Sequence, residues 1–120
     1  MRHNIKTTDF SLTPAIKDYL EKRVEHLDKF VSSENKDVAM CYVEIGKTTN
    51  HHKSGELFRT ELTIHIGSKS LRAESTQEDL YAAIDVATEG MTEELKSFKD
   101  KKGSMIKKGG AEIKKMIKGL

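Results

Sequence analysis

Two sets of basic residues carry the strongest chemical signal in this 120-residue chain. Arg23, His26 and Lys29 follow one another at three-residue steps, with Lys22 beside them. Lys96, Lys99 and Lys102 repeat that step, with Lys101 adjacent. On a helix such spacing lines one edge with positive charge. A cationic edge suits a phosphate backbone, because each phosphate contact also releases condensed counterions. The same residues could instead form an ordinary solvated helix face with ion pairs such as Asp18–Lys22 and Glu25–Lys29. Arg2, Lys6, Arg59, Lys69 and Arg72 are expected to add charge on the polar face of a sheet. The helix ends offer no aromatic platform, so recognition of folded RNA by shape and backbone fits better than base stacking on single strands.

Catalytic constellations are weak by comparison. The chain has no Gly-rich phosphate loop, no Cys-x-x-Cys pair and no His-Glu-x-x-His. Cys41, the single cysteine, falls on the apolar side of a predicted strand and reads as a small hydrophobe. One cysteine excludes an internal disulfide and fits a reducing compartment. His51-His52 could supply half of a metal site, but a structural site wants four ligands. Glu61 and His65 share the outer side of one predicted strand, where an acid–base pair would lack a cleft. The expectation is a binding protein without cofactor, metal or small-molecule substrate.

The elements that must position the basic residues are clear in the apolar periodicity. Arg2 to Thr8 predicts a strand. Thr13-Pro14 predicts a helix start, with the threonine as N-cap and proline at the first helical position. Ile16, Leu20, Val24, Leu27 and Val31 form that helix's buried stripe. Val38 to Ile45 and Phe58 to Ile66 alternate as strands, and Gly67-Ser68 suits a tight turn. Ser70 to Glu74 predicts a fourth strand. Ser75 and Glu78 have the spacing of a capping box for a second helix, whose stripe is Leu80, Ile84, Ala87, Met91, Leu95 and Phe98. Gly90 interrupts it at a cost of about 1 kcal/mol relative to alanine. These elements predict an α+β fold: βαβββα, a four-stranded mixed sheet with two helices packed on one face. The helix between the first two strands makes them parallel. Gly103, Gly109 and Gly110 are expected to break the C-terminal segment, leaving Ile113, Met116, Ile117 and Leu120 for a short amphipathic turn.

Charge divides the chain in two. Residues 1–98 balance at −4, whereas residues 99–120 hold eight lysines against Asp100 and Glu112, a balance of +6. The expected organisation is therefore a domain over 1–102 and a basic, flexible tail over 103–120, suited to an anionic partner. No apolar run approaches the roughly 20 residues needed to span a bilayer. Met1-Arg2-His3-Asn4-Ile5 is no signal region, so a cytoplasmic protein without membrane contact is expected.

Asn4-Ile5, Leu12-Thr13-Pro14-Ala15-Ile16, Leu27-Asp28-Lys29-Phe30, and Ala73-x-Ser75 followed by Asp79-Leu80-Tyr81-Ala82-Ala83-Ile84-Asp85 resemble the ribosome hibernation-promoting factors and ribosome-associated translation inhibitors. The resemblance covers residues 1 to about 102. It implies the same βαβββα fold and a stress or stationary-phase role. It further implies binding in the small ribosomal subunit's mRNA and tRNA channel, where basic residues of both helices contact 16S rRNA and block translation without chemistry. Arg23 and Lys29 match basic positions of the family. His26 stands where a lysine is common, and Gly90, Glu93 and Ser97 stand where basic residues are common. Length resembles the short forms, which promote paired inactive ribosomes with a second protein. The rival expectation is a protein–protein regulator that docks through Glu89, Glu93 and Glu94, with the tail as a separate handle.

Overall fold

The computed structural model describes residues 1–49 and 55–118, with side chains described over 1–48 and 55–100. Elements follow the order β1 (Arg2–Thr8), α1 (Pro14–Asp28), β2 (Met40–Thr49), β3 (Glu56–Ile66), β4 (Lys69–Gln77) and α2 (Leu80–Lys118). The strands form one sheet in the order β1-β2-β3-β4. β1 and β2 are parallel, from Arg2 opposite Met40 to Thr8 opposite Gly46. The other two pairings are antiparallel. This is the predicted α+β architecture.

Local chemistry starts α1 where the sequence indicates. The Ile16 N–H donates to the Thr13 hydroxyl at 3.2 Å, and Pro14 takes the first turn. Leu20, Val24, Leu27 and Val31 then bury against Cys41, Val43, Ile45, Leu62 and Ile64 of the sheet and Ile84, Met91 and Leu95 of α2. Both helices thus cover one face. Gly67, at φ 60°, makes the β3–β4 turn in a conformation that glycine adopts freely.

Four local expectations need correction. First, the Ser75/Glu78 capping box does not form. β4 continues to Gln77, and Ser75 is buried in the ladder opposite Thr60, where its hydroxyl accepts from Gln77 Nε2 at 3.0 Å. Asp79 caps α2 instead: its carboxylate accepts the Ala82 N–H at 2.9 Å. Second, the β2–β3 hairpin is longer than its apolar alternation, pairing out to Thr49 opposite Glu56. A Lys47–Glu56 ion pair at 2.7 Å supports this polar extension. Third, Lys69 sits opposite Ile66, so it lies at the rim of the helix-covered face and not on the polar face. Fourth, the α2 backbone stays helical through Gly103, Gly109 and Gly110.

Gly90 has a packing reason. A Cβ built there would lie 3.4 Å from the Ala73 Cβ, so α2 approaches β4 closely at this turn. Gly90→Leu should cost about 1–3 kcal/mol through overpacking. Gly90→Ala should change stability by less than about 1 kcal/mol, because the gain in helix propensity offsets the tight contact. Urea denaturation of the two variants checks both values.

Cys41 is fully buried in the core, and that burial pushes its thiol pKa up to about 12. The folded state keeps the neutral thiol, while the unfolded chain ionises near 9.0. This contribution to stability is complete below the unfolded value and is lost as pH rises from there towards about 12. Native protein should resist thiol alkylation at pH 8 and react only once denatured, as mass spectrometry of iodoacetamide-treated samples would show.

Candidate nucleic-acid interface

Helices α1 and α2 lie side by side and run in the same direction. The contacts step along both chains together: Tyr19 with Tyr81 and Asp85, Arg23 with Asp85, then Phe30 with Lys96. Arg23 and Lys96, one from each predicted cationic set, therefore meet a single interhelical seam.

The N-terminal half of the seam is closed by a tether. The Tyr19 hydroxyl donates to Asp85 Oδ1. Arg23 Nη2 lies 2.7 Å from the same oxygen and donates to the Tyr19 hydroxyl at 3.0 Å. The guanidinium sits 5.2 Å from the Tyr19 ring centroid, and Tyr81 meets that ring edge-on at 4.9 Å. Hydrogen bonding to Tyr19, reinforced by the Asp85 charge, makes Arg23 hold its proton more tightly than an ordinary arginine, despite partial burial. Arg23 is thus balanced within the protein while remaining half-exposed. Asp85→Ala should cost about 1–2 kcal/mol, a value held down by the site's exposure to water. A urea midpoint checks it.

The C-terminal half opens onto Phe30. The His26 ring meets Phe30 edge-on at 5.5 Å, and Lys96 Nζ sits 5.5 Å from its centroid. Phe30 is the aromatic group that the sequence pattern did not place here, and Lys96 occupies its face. Lys96 also reaches Glu93 at 3.9 Å. On α1, Lys22 pairs with Asp18 at 3.1 Å. Lys29 and Lys99 are exposed and have no ion pair among the described residues. Lys99 follows Lys96 by three residues, nearly one turn along the same flank. Lys101 and Lys102 lie on the α2 backbone, and their side chains are outside the described set.

The outer sheet face is different. Glu44, Glu61 and Glu74 stand in one row across β2, β3 and β4. Such like charges repel unless counterions intervene. Arg59 reaches Glu61 at 3.0 Å and also pairs with Glu74. Arg72 reaches Glu61 at 3.0 Å and Glu74 at 3.3 Å. The expectation of free positive charge from Arg59 and Arg72 is corrected: carboxylates engage both, and the Arg59 pKa is raised by its hydrogen bond to Glu74. Arg2 and Lys6 on β1 remain exposed. His51 and His52 fall outside the described residues. Among the described residues, no cluster of three or more His, Cys, Asp or Glu could hold a metal, and no helix is long and apolar enough to cross a membrane.

This arrangement brings Arg23 and Lys96, from different helices, to one interhelical contact line, with exposed Lys29 and Lys99 nearby in sequence. Known proteins share this chain's sequence pattern and fold. Residues 3–103 match the family described as Sigma 54 modulation protein / S30EA ribosomal protein. The ribosome hibernation promotion factor of Bacillus subtilis (strain 168) is 29% identical over 121 residues, covering 100% of this chain and 60% of that protein. The protein of the same name from Lactococcus lactis subsp. cremoris is 27% identical over 99 residues, covering 82% of this chain and 50% of its relative. The chain therefore spans between half and three fifths of these curated relatives. Among solved structures, the N-terminal domain of Thermus thermophilus Protein Y superposes with a TM-score of 0.66 at 27% identity, covering 82% of this chain and 99% of that one. A ribosomal subunit interface protein from Coxiella burnetii, at 15% identity and a TM-score of 0.62, shares the fold. With the family match running from β1 into α2 over residues 3–103, the chain belongs to the Sigma 54 modulation protein / S30EA ribosomal protein family.

Proposed function

We propose that this chain is a ribosome hibernation factor acting in the cytoplasm. It binds the small ribosomal subunit in the mRNA and tRNA channel and stops translation by occupying that space. Lys22, Arg23, His26, Lys29, Lys96, Lys99, Lys101 and Lys102 face the 16S rRNA backbone. Residues 1–102 form the ribosome-binding body, and 103–120 extend it with further positive charge. A second hibernation factor is a partner in pairing idle ribosomes. No bond is made or broken.

The observation that carries this reading is the shared seam. Cations from two helices flank one line, and a tether of Tyr19, Arg23 and Asp85 fixes their relative position. A rigid spacing of charges is what backbone recognition of folded RNA requires. The ribosomal association named for the relatives supports the same partner.

Co-sedimentation with purified small subunits across a salt series tests the proposal. Binding at low salt that weakens linearly on a log–log plot is expected. No association at any salt rejects it. Pull-down from nuclease-treated lysate distinguishes the protein–protein alternative, which retains a partner after RNA is removed.

A further inference from the structure

His26 is the histidine of the seam, set between Arg23 and Lys29, and imidazole is the side-chain type suited to switching charge near neutral pH. It is exposed, its ring rests edge-on against Phe30, and its side chain has no hydrogen bond or ion pair among the described residues. The charged groups around it fall into two sets. Lys22, Arg23, Glu25 and Lys29 share its helix, and Lys96 approaches across Phe30 from α2. Of the α2 carboxylates along this flank, Asp85 holds Arg23 and Glu93 reaches towards Lys96, while Glu89 stands one turn from each, exposed and without an ion pair among the described residues. The sheet beneath α1 presents apolar side chains. In the free protein, then, no carboxylate on α2 lies within ion-pair distance of His26 among the described residues.

We infer that His26 makes RNA binding proton-linked: the seam takes up a proton at His26 when a phosphate settles between His26 and Lys96, so affinity rises as pH falls. This deepens the ribosome-binding reading above and rests on it. The physical basis is linkage. A phosphate beside the ring favours the charged imidazole in the complex, and whatever favours the protonated form in the complex must tighten binding at lower pH. The carbonyl dipoles at the end of α1 act on His26 in both states and cancel from the difference. The partner need not titrate, because a backbone phosphodiester stays ionised throughout the range.

The magnitude is bounded. If binding raises the proton affinity of His26 by about one pH unit, affinity grows by up to roughly tenfold between pH 8 and pH 5.5. The test measures affinity for purified small ribosomal subunits over that range, at fixed ionic strength and magnesium, for the parent chain, His26→Lys and His26→Gln. His65→Gln serves as a control, since His65 bonds Ser70 on the opposite face of the sheet. The parent curve should meet His26→Lys at low pH and His26→Gln at high pH, while those two variants stay nearly flat. His65→Gln should keep the parent slope. Calorimetry in buffers of different ionisation enthalpy should show proton uptake that His26→Gln removes. A flat parent curve, or a slope that survives in His26→Gln, overturns the inference while leaving ribosome binding intact. Absence of binding in all variants at every pH and low salt overturns the ribosome-binding reading and this inference together.

Discussion

Replacing Lys29, Lys96 and Lys99 together by glutamine should weaken binding to small ribosomal subunits by about 10²-fold at physiological salt. It should also flatten the salt dependence by roughly two to three units of slope. Release of one counterion per lost phosphate contact contributes about 1 kcal/mol at such salt, and three contacts give the stated factor. The variant should fold normally. Lys29 and Lys99 have no ion pair among the described residues, and Lys96 has one long pair and a ring contact. Those surface interactions stabilise the fold only modestly. The control is Arg2→Gln with Lys6→Gln on β1, which removes two exposed cations from the other face and should leave the slope unchanged. Equal losses in both variants would mean that net charge, and not the helix seam, drives association. Sedimentation at five or more salt concentrations gives both affinity and slope.

Ile84→Ala should cost about 2–5 kcal/mol. Ile84 is fully buried among side chains from α1 and the sheet. Removing its outer carbons leaves a cavity that the surrounding rigid layers cannot collapse to fill. Domains of this size commonly have only about 5–15 kcal/mol in total, so a single substitution removes a large fraction. With urea slopes of about 1–3 kcal/mol per molar, the midpoint should fall by roughly 1–2 M. The neighbouring Asp85 links the two helices, so loosening this turn of α2 should also disturb the spacing of the cations. A variant that loses stability but binds with undiminished affinity below its unfolding transition would show that the seam's geometry tolerates such play.

The layout of the fold was legible because its signals are local. Thr13-Pro14 marks a helix start by hydrogen-bond chemistry available within four residues, and β3 declares itself by the alternation of Phe58, Leu62, Ile64 and Ile66, interrupted at Thr60. Signals that depend on competition were not. Ser75 and Glu78 have the right spacing for a cap, yet ladder pairing with Thr60 holds Ser75 in β4, and Asp79 takes the role. Lys69 looks like a polar-face residue until register places it opposite Ile66. Gly90 reads as a pure helix cost until the approach to Ala73 is seen. At the site, each cationic edge was visible alone. That they flank one seam depends on how each helix is rotated about its axis. The contacts of Tyr19 with Asp85 and of Phe30 with Lys96 reveal that rotation, and both pairs are more than sixty positions apart in the chain. The i, i+4 repeats Tyr19/Arg23 and Tyr81/Asp85, each an aromatic followed by a charge on a stripe's margin, were the available hint.

The parallel pairing of β1 with β2 has a kinetic consequence. Every β1–β2 pair, from Arg2 with Met40 to Thr8 with Gly46, joins residues 38 positions apart, whereas β2, β3 and β4 join through successive hairpins. Closing the longer loop costs more chain entropy than closing either hairpin. During refolding the meander should gain amide protection first, with β1 zipping on afterwards as the last edge of the sheet.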